Sequence, residues 1–353
     1  MEGLSVVICC HNSASRLPDT LEYLKVQEAP GVAWEVLLID NASTDDTVLV
    51  AQACWNDGPA PFRVVSEPQL GTRYARERGF AEAKYSLIGF VDDDNWVSPD
   101  WVKLAHLIMN SDMQLGAVSG ISTAACDGTL PAWFEQYQSY YAVLTEEEMH
   151  RTQIPPLRLP TAGLCIRKAA WEDLVKRGFH SLVPGRVGRN LAGGEDTELT
   201  IALRFCGWKL KIDHRLRLRH FMPPQRLNWR YLRRLARGND ASTVLLDGYT
   251  DHSLSLKPGL RSWMSEWWCY QLLRCAARLA IQPRAVLAAL ASSGENEDGV
   301  IQVERLFGRA LGLFHFKGRY GSSRRLVRHA SWRNLNSAGM PLRTAPDSAA
   351  VQF

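Results

Sequence analysis

Four apolar runs are spaced along the first hundred residues: LSVVICC (4–10), WEVLLID (34–40), FRVVSE (62–67) and SLIGFVD (86–92). They do not alternate as strands half open to water would; they read apolar on both faces, as strands covered from two sides do. Between them the apolar positions fall at helical spacing. Leu17, Leu21 and Leu24 share one face, and Pro18 suits a first turn. Ser43 or Thr44 is a candidate cap for the next helix, with Asp45 and Asp46 at its positive end. Thr72 to Lys84 reads as helix. Ser98-Pro99-Asp100 reads as a cap, a first-turn proline and a dipole-matched acid opening a helix through Met109. Alternating strands and helices predict an α/β fold: a Rossmann-like, mostly parallel sheet with helices on both faces.

The second half is less regular. AGLCIRK (162–168) reads as a strand running into a helix, and Glu195 to Phe205 as a helix closed by Gly207. KLKIDHRLRLRH (209–220) alternates like a half-exposed strand, Pro223-Pro224 breaks the chain, and the pattern from Leu227 is helical. The expected division is a catalytic domain over 1–222, a helical C-terminal extension over 223–315 and a basic, mobile tail over 316–353.

Composition changes this picture little. A chain of 353 residues that is 46% hydrophobic can bury a full core. The net charge of +4 is uneven: Arg204 to Arg237 contains many cations and only one acid, Asp213, and Lys317 to Arg343 contains no acid. Such stretches attract phosphates, anionic lipid or nucleic acid. The eight cysteines form no CxxC pair, which argues against a zinc site and fits a reducing compartment. The chain enters a strand at once, with no leader, and no apolar stretch reaches the roughly 20 residues that span a bilayer. The expectation is a cytoplasmic protein, with peripheral contact at the inner face of the plasma membrane. Trp263, Trp267, Trp268 and Tyr270, followed by Arg274 and Arg278, carry that second part, because they resemble an interfacial helix; packing on the main domain is the plain alternative.

Candidate chemistry gathers at the strand ends. In parallel α/β sheets ligands bind beyond the carboxyl ends of the strands. Three of those ends carry polar groups: Cys10-His11-Asn12, Asp40-Asn41 and Asp92-Asp93-Asp94. In extended chain, residues two apart point the same way, so Asp92 and Asp94 face one ligand and Asp93 faces away. Two carboxylates on one side suit a hard divalent cation such as Mg²⁺ or Mn²⁺. A polar strand-to-helix turn is the plain alternative.

Four segments in order, VLLIDNASTDDT, EPQLGTRYARERGF, FVDDDNWVSPDW and GGEDTEL, resemble glycosyltransferase family 2, whose fold is the A-type nucleotide-sugar fold. The resemblance covers about residues 4–240. AGLCIRK, the GRVG stretch before GGEDTEL and RHFMPPQRLNWRYLRRLARG further resemble a cyanobacterial subgroup linked to hormogonium polysaccharide synthesis. The resemblance implies an inverting, metal-dependent transfer of one sugar from a nucleotide sugar, UDP expected, to a saccharide or lipid-linked saccharide acceptor. It implies nucleotide contacts from Cys10, Asn12, Asp40, Arg76, Asp92 and Asp93, and metal contacts from Asp94, Asp92 and His220, with His214 a competitor for the last. It implies that the pair Glu195-Asp196 supplies the base, with Asp196 favoured. Trp133, Arg167 and Gly194 are candidates on the acceptor side. For Trp133 the plain alternative is core packing, and for Arg167 a surface position. The QxxRW pattern of processive synthases is missing, since Arg226 is misplaced in QRLNW, so a single addition is expected. Rival readings are a sugar-nucleotide pyrophosphorylase, disfavoured by CCHNSASRL after the first strand; a catalytically weak scaffold; and a nucleic-acid binder using 204–237 and the tail, disfavoured because no recognised nucleic-acid motif is present.

Overall fold

The computed structural model describes residues 1–151, 158–160, 162–186, 191, 193–250, 260–291, 295, 297 and 299–333. The strands are β1 (Leu4–Cys10), β2 (Trp34–Asp40), β3 (Phe62–Ser66), β4 (Leu87–Phe90), β5 (Asn95–Val97), β6 (Leu115–Ala125), β7 (Leu164–Arg167) and β8 (Lys209–Phe221). The helices of the first half are α1 (Leu17–Lys25), α2 (Thr47–Cys54), α3 (Thr72–Glu82), α4 (Trp101–Ser111), α5 (Phe134–Tyr137), α6 (Glu146–Arg151), α7 (Lys168–Lys176) and α8 (Glu195–Cys206). Those of the second half are α9 (Trp229–Thr243), α10 (Asp247–Thr250), α11 (Leu260–Ser265), α12 (Trp268–Ala280), α13 (Pro283–Ala291), α14 (Val300–His315) and α15 (Lys317–Arg328).

All eight strands form one sheet in the order β3-β2-β1-β4-β7-β6-β8-β5. The first four are parallel, as the double-sided apolar runs predict. Val7, Leu37, Ile39 and Ile88 pack into one core, and Leu4, Val6, Ile8, Val36 and Leu38 into the other. Each such fully buried side chain contributes about 1.5–3 kcal/mol relative to exposure. The pairings Cys10↔Asp40 and Asp40↔Ser66 bring the strand ends level, which sets their polar residues along one edge.

Two strands are absent from the sequence-based expectation. In β6, Gly116, Ser119, Gly120 and Ser122 dilute the apolar signal. They are needed there: a Cβ on Gly120 would lie 2.0 Å from the Leu216 carbonyl oxygen of β8. β5 has only three residues and pairs antiparallel with β8. Helix starts also shift. Ser43 and Thr44 do not cap α2, which begins at Thr47. Ser43 Oγ instead accepts from the Asn12 N–H, and the Thr44 N–H donates to Asn12 Oδ1, so both serve the loop after β1. Asp100 rather than Ser98 stands at the start of α4.

The C-terminal helices pack on the sheet domain and on one another. Glu304, on α14, is 1% exposed and takes Arg233 and Arg237 of α9 at 2.7 and 2.5 Å. Next to this pair the helix backbones nearly touch. A Cβ on Gly308 would lie 2.1 Å from the Arg237 carbonyl oxygen, and one on Gly312 equally close to that of Ala241. The expectation of a mobile tail from 316 changes here: α15 is ordered, Tyr320 and Val327 are fully buried, and Trp332 stacks on Tyr249 with ring centroids 5.8 Å apart. Residues 334–353 of that expected tail lie outside the described residues.

The basic stretch 204–237 is largely neutralised across the fold. Asp213 pairs with Lys211 and Arg215, Glu146 with Arg217, Asp94 with Arg226, and Glu304 with Arg233 and Arg237. Among the described residues, no helix is long and apolar enough to cross a membrane.

The α9–α14 seam yields a direct test. Gly312→Val should separate the two helices at a cost of about 1–3 kcal/mol or more. Thermal unfolding should show Tm lowered by roughly 2–4 °C per kcal/mol; an unchanged Tm would refute the close approach.

Candidate active site

The acidic edge is built around one tight turn after β4. Asn95, fully buried, donates to Asp94 Oδ1 at 3.2 Å and accepts from the Asp92 N–H, while its own N–H binds the Asp92 carbonyl. Each aspartate then meets a cation from a different part of the chain. Asp93 faces back toward α1, where Ser13 Oγ donates to it and Arg16 Nη2 lies at 2.6 Å. Burial still raises its pKa, and Asp94 adds to that. Asp94, 4% exposed, receives Arg226 Nη1 at 2.8 Å and faces His220 Nε2 at 3.3 Å. Burial opposes its charge, but His220 and Arg226 outweigh it and hold the carboxyl well below the usual range. Asp92 is pushed up to about 6 by burial, against the pull of Arg76 and with Asp94 adding to the rise.

The donor set fits a divalent cation. His220 Nδ1 donates to the Tyr141 carbonyl at 2.7 Å, so Nε2 is the nitrogen turned to Asp94. A neutral Nε2 and a carboxylate oxygen present lone pairs to each other, so a cation belongs between them: a proton, or a metal. Carboxylates with one imidazole suit Mn²⁺ or Mg²⁺, the remaining positions going to phosphate oxygens and water. Among the described residues, no three acidic, histidine or cysteine side chains stand close enough to complete a metal cluster alone. His214 is exposed, within the irregular stretch of β8 between Ile212 and Arg217, and its carbonyl accepts from Arg217. It is not next to Asp94.

Arg76 joins this acidic edge to the second acidic group. It projects from α3, and its Nη1 lies 3.0 Å from Glu195 Oε1. Burial opposes its charge, but Glu195, Asp196 and Asp92 outweigh it and keep the guanidinium ionised. Glu195 and Asp196 occupy the first turn of α8, after Gly194 at φ 106°. Glu195 Oε2 is buried with no hydrogen-bond partner among the described residues. Asp196 Oδ1 accepts the Thr197 N–H at 2.7 Å. The loop before this turn is held from α9: Ser242 Oγ accepts the Gly193 N–H at 3.1 Å and donates to the Gly193 carbonyl at 2.8 Å.

The remaining nucleotide-side candidates sit at the same edge. Asp40 ends β2 and accepts the Ser43 N–H. Asn12 adopts φ 51° and ties the loops after β1 and β2. Cys10 is buried in the core, 1% exposed, with its thiol pKa pushed well up by burial. Two acceptor candidates are buried in packing. Arg167 is 6% exposed at the opposite end of the sheet, paired in register with Leu87, and donates to the carbonyls of Met109 and Leu115; it is a backbone clamp. Trp133, 3% exposed, packs on Trp229 and Tyr141. Gly194 is at the site, as the cap of α8. Residues 187–190, which include the second half of the GRVG stretch, lie outside the described residues.

Several site residues carry no local signal in the sequence. Arg16, Arg226 and Ser242 act through contacts across 77, 132 and 49 positions, which spacing does not reveal. Arg158, under the electrostatic influence of Asp196, is another. Asn41, 4% exposed, does stand beside a motif residue. It donates to the carbonyls of Glu67 and Gln69 and accepts the Gly71 N–H, so it fixes the start of α3 and thereby Arg76.

A mostly parallel sheet whose carboxyl edge carries an aspartate triplet, flanked by antiparallel strands and a second acidic turn, is the A-type glycosyltransferase architecture. Residues 5–173 match the model of the family described as glycosyl transferase family 2. The glycosyltransferase AglE of Haloferax volcanii is 23% identical over 212 residues, covering 60% of this chain and 64% of AglE. The putative teichuronic acid biosynthesis glycosyltransferase TuaG of Bacillus subtilis strain 168 is 25% identical over 191 residues, covering 50% of this chain and 73% of TuaG. The crystal structure of S. aureus TarS 1–349 superposes with a TM-score of 0.47 at 16% identity, covering 92% of this chain and 91% of that one. Over residues 5–173 the chain is thus similar to glycosyl transferase family 2.

The Arg76–Glu195 contact predicts a measurable coupling. Arg76→Met leaves the Glu195 carboxylate buried without its cation and should cost on the order of 3 kcal/mol. Adding Glu195→Gln should restore part of that loss in urea unfolding; strictly additive effects would show that the two do not interact.

Proposed function

We propose that this chain transfers one sugar from a nucleotide sugar, UDP-linked, to a saccharide or lipid-linked saccharide acceptor, with inversion and with a divalent cation, in surface polysaccharide or glycoconjugate synthesis. The observation that carries this reading is the meeting of two acidic groups, Asp92–Asp94 and Glu195-Asp196, on either side of one half-buried arginine, Arg76. The family match supports the sugar-transfer class.

Each residue has a chemical task in this reading. Asp40, at the level edge of β2, accepts a hydrogen bond from the base. Asp92, with Asn12 and Asp93 nearby, frames the ribose and phosphates. Asp94, Asp92 and His220 would hold the cation, which when bound stabilises the negative charge gained by the departing diphosphate. Arg76 adds fixed positive charge toward the same group. Asp196 takes the proton of the acceptor hydroxyl as that hydroxyl attacks, from the face of the sugar opposite the diphosphate. One displacement inverts the anomeric centre and needs no enzyme nucleophile. Placement matters as much as basicity for such a base, and the Ser242 grip on Gly193 supplies the placement.

The test is nucleotide release from a panel of nucleotide sugars with Mn²⁺, with and without EDTA. One donor should be turned over, EDTA should stop it, and Asp94→Ala and Asp196→Asn should each reduce it by about 100-fold or more. Release that ignores EDTA, or survives in the Asp196→Asn protein, overturns the assignment.

Peripheral contact with an anionic membrane belongs to the same proposal. Leu273, Ile281, Leu287 and Leu290, on and between α12 and α13, are 66–77% exposed, and the exposed Arg274, Arg278 and Arg284 lie among them. Apolar side chains interleaved with cations suit an anionic lipid surface. The protein should co-sediment with vesicles containing anionic lipid, less so at high salt, and not with neutral vesicles; equal recovery on both would contradict this surface.

A further inference from the structure

A cavity of about 230 Å³ lies among α9, α12 and α14, away from the acidic edge. Arg274, Arg278, Arg305 and Arg309 line it, with Asp240 as the one acid of the lining. A water occupies about 30 Å³ of liquid, so the space admits a group of several heavy atoms. Its charge is not balanced from within. Arg305 lies 3.0 Å from Asp240. Arg309 bonds Asp247, which also lies 3.7 Å from Arg324. Arg274 and Arg278, exposed at the rim, have no carboxylate partner among the described residues.

Four guanidinium groups around one void repel each other, and that repulsion is relieved when an anion enters. Guanidinium forks match phosphate oxygens two at a time, and hydrogen bonds between charged partners are about twice as strong as neutral ones. Gln271, 7% exposed, adds a polar wall to which Arg274 Nη1 donates at 3.4 Å. We propose that this cavity is a binding site for a phosphate or diphosphate group, separate from the donor site at the sheet edge.

Its position gives the site a purpose. Asp240 on its wall lies two residues before Ser242, the hydroxyl that grips Gly193 beside the Glu195-Asp196 turn. The rim residues Arg274 and Arg278 are on α12, next to the exposed Leu273. A phosphate held here belongs to the acceptor side, and assigning it to the acceptor rests on the transferase reading; the anion site itself does not.

The test is calorimetric titration, in EDTA, with inorganic pyrophosphate and with geranyl diphosphate as a short lipid-borne probe. Wild type and Asp94→Ala should bind with similar affinity. Arg274→Gln/Arg278→Gln, at two exposed positions that leave the fold intact by circular dichroism, should bind about tenfold or more weakly. Tighter binding of geranyl diphosphate than of pyrophosphate assigns the site to a lipid-borne group, and the reverse order to a free anion; either supports the site. The proposal fails if wild type shows no saturable binding, or if affinity is lost in Asp94→Ala and kept in the arginine double variant. UDP binding, measured separately with Mn²⁺, reports on the donor reading: its absence alongside intact pyrophosphate binding would sink the transferase assignment and leave the anion site standing.

Discussion

Three consecutive carboxylates at the buried end of β4 repel one another, and the architecture around them supplies their counter-charges. Unit charges about 4 Å apart interact by about 4 kcal/mol in a partly buried setting. The chain answers with three cations drawn from distant elements. Arg16 just before α1 takes Asp93, Arg76 on α3 acts on Asp92, and Arg226 after β8 takes Asp94, with His220 beside it. Meeting that demand fixes where α1, α3 and the end of β8 must lie relative to β4. The acid-rich turn thus organises the edge as well as furnishing its chemistry.

The first half of the chain is legible in the sequence because its signals are local. LSVVICC and WEVLLID coincide with β1 and β2 to the residue, and Gly207 closes α8 in the left-handed conformation that a terminal glycine supplies. What escapes depends on partners far along the chain. β6 hides because its small residues make room for β8, so its sequence describes a neighbour rather than its own periodicity. Arg167 reads as a ligand-binding cation beside a strand; register places it at the wrong end of the sheet, spent on carbonyls. Ser43 and Thr44 read as caps and are cross-braces to Asn12. His220 does stand beside Asp94, but the cation that binds Asp94, Arg226, stands in the sequence only as a poor match to a different pattern.

The C-terminal helices contribute to the site through contact rather than through motif residues. α9 carries Ser242 on one side and, through Gly308 and Gly312, lies almost backbone to backbone with α14 on the other. The arginine-lined cavity and the exposed leucines of α12 and α13 are borne on the same layer. The cavity and the exposed apolar surface therefore share one helical layer.

The double bond of Ser242 to Gly193 has an evolutionary consequence. One hydroxyl bonds both polar groups of a single residue's backbone, so the loop before the acid pair is held from α9, while α8 itself packs on the core of the sheet. Drift in the loops after β1, β2 and β4 can remodel that edge while the Ser242 grip stays as it is. Drift in α9 can shift the loop before the acid pair while those loops are untouched. The Arg76–Glu195 contact is where the two kinds of change meet.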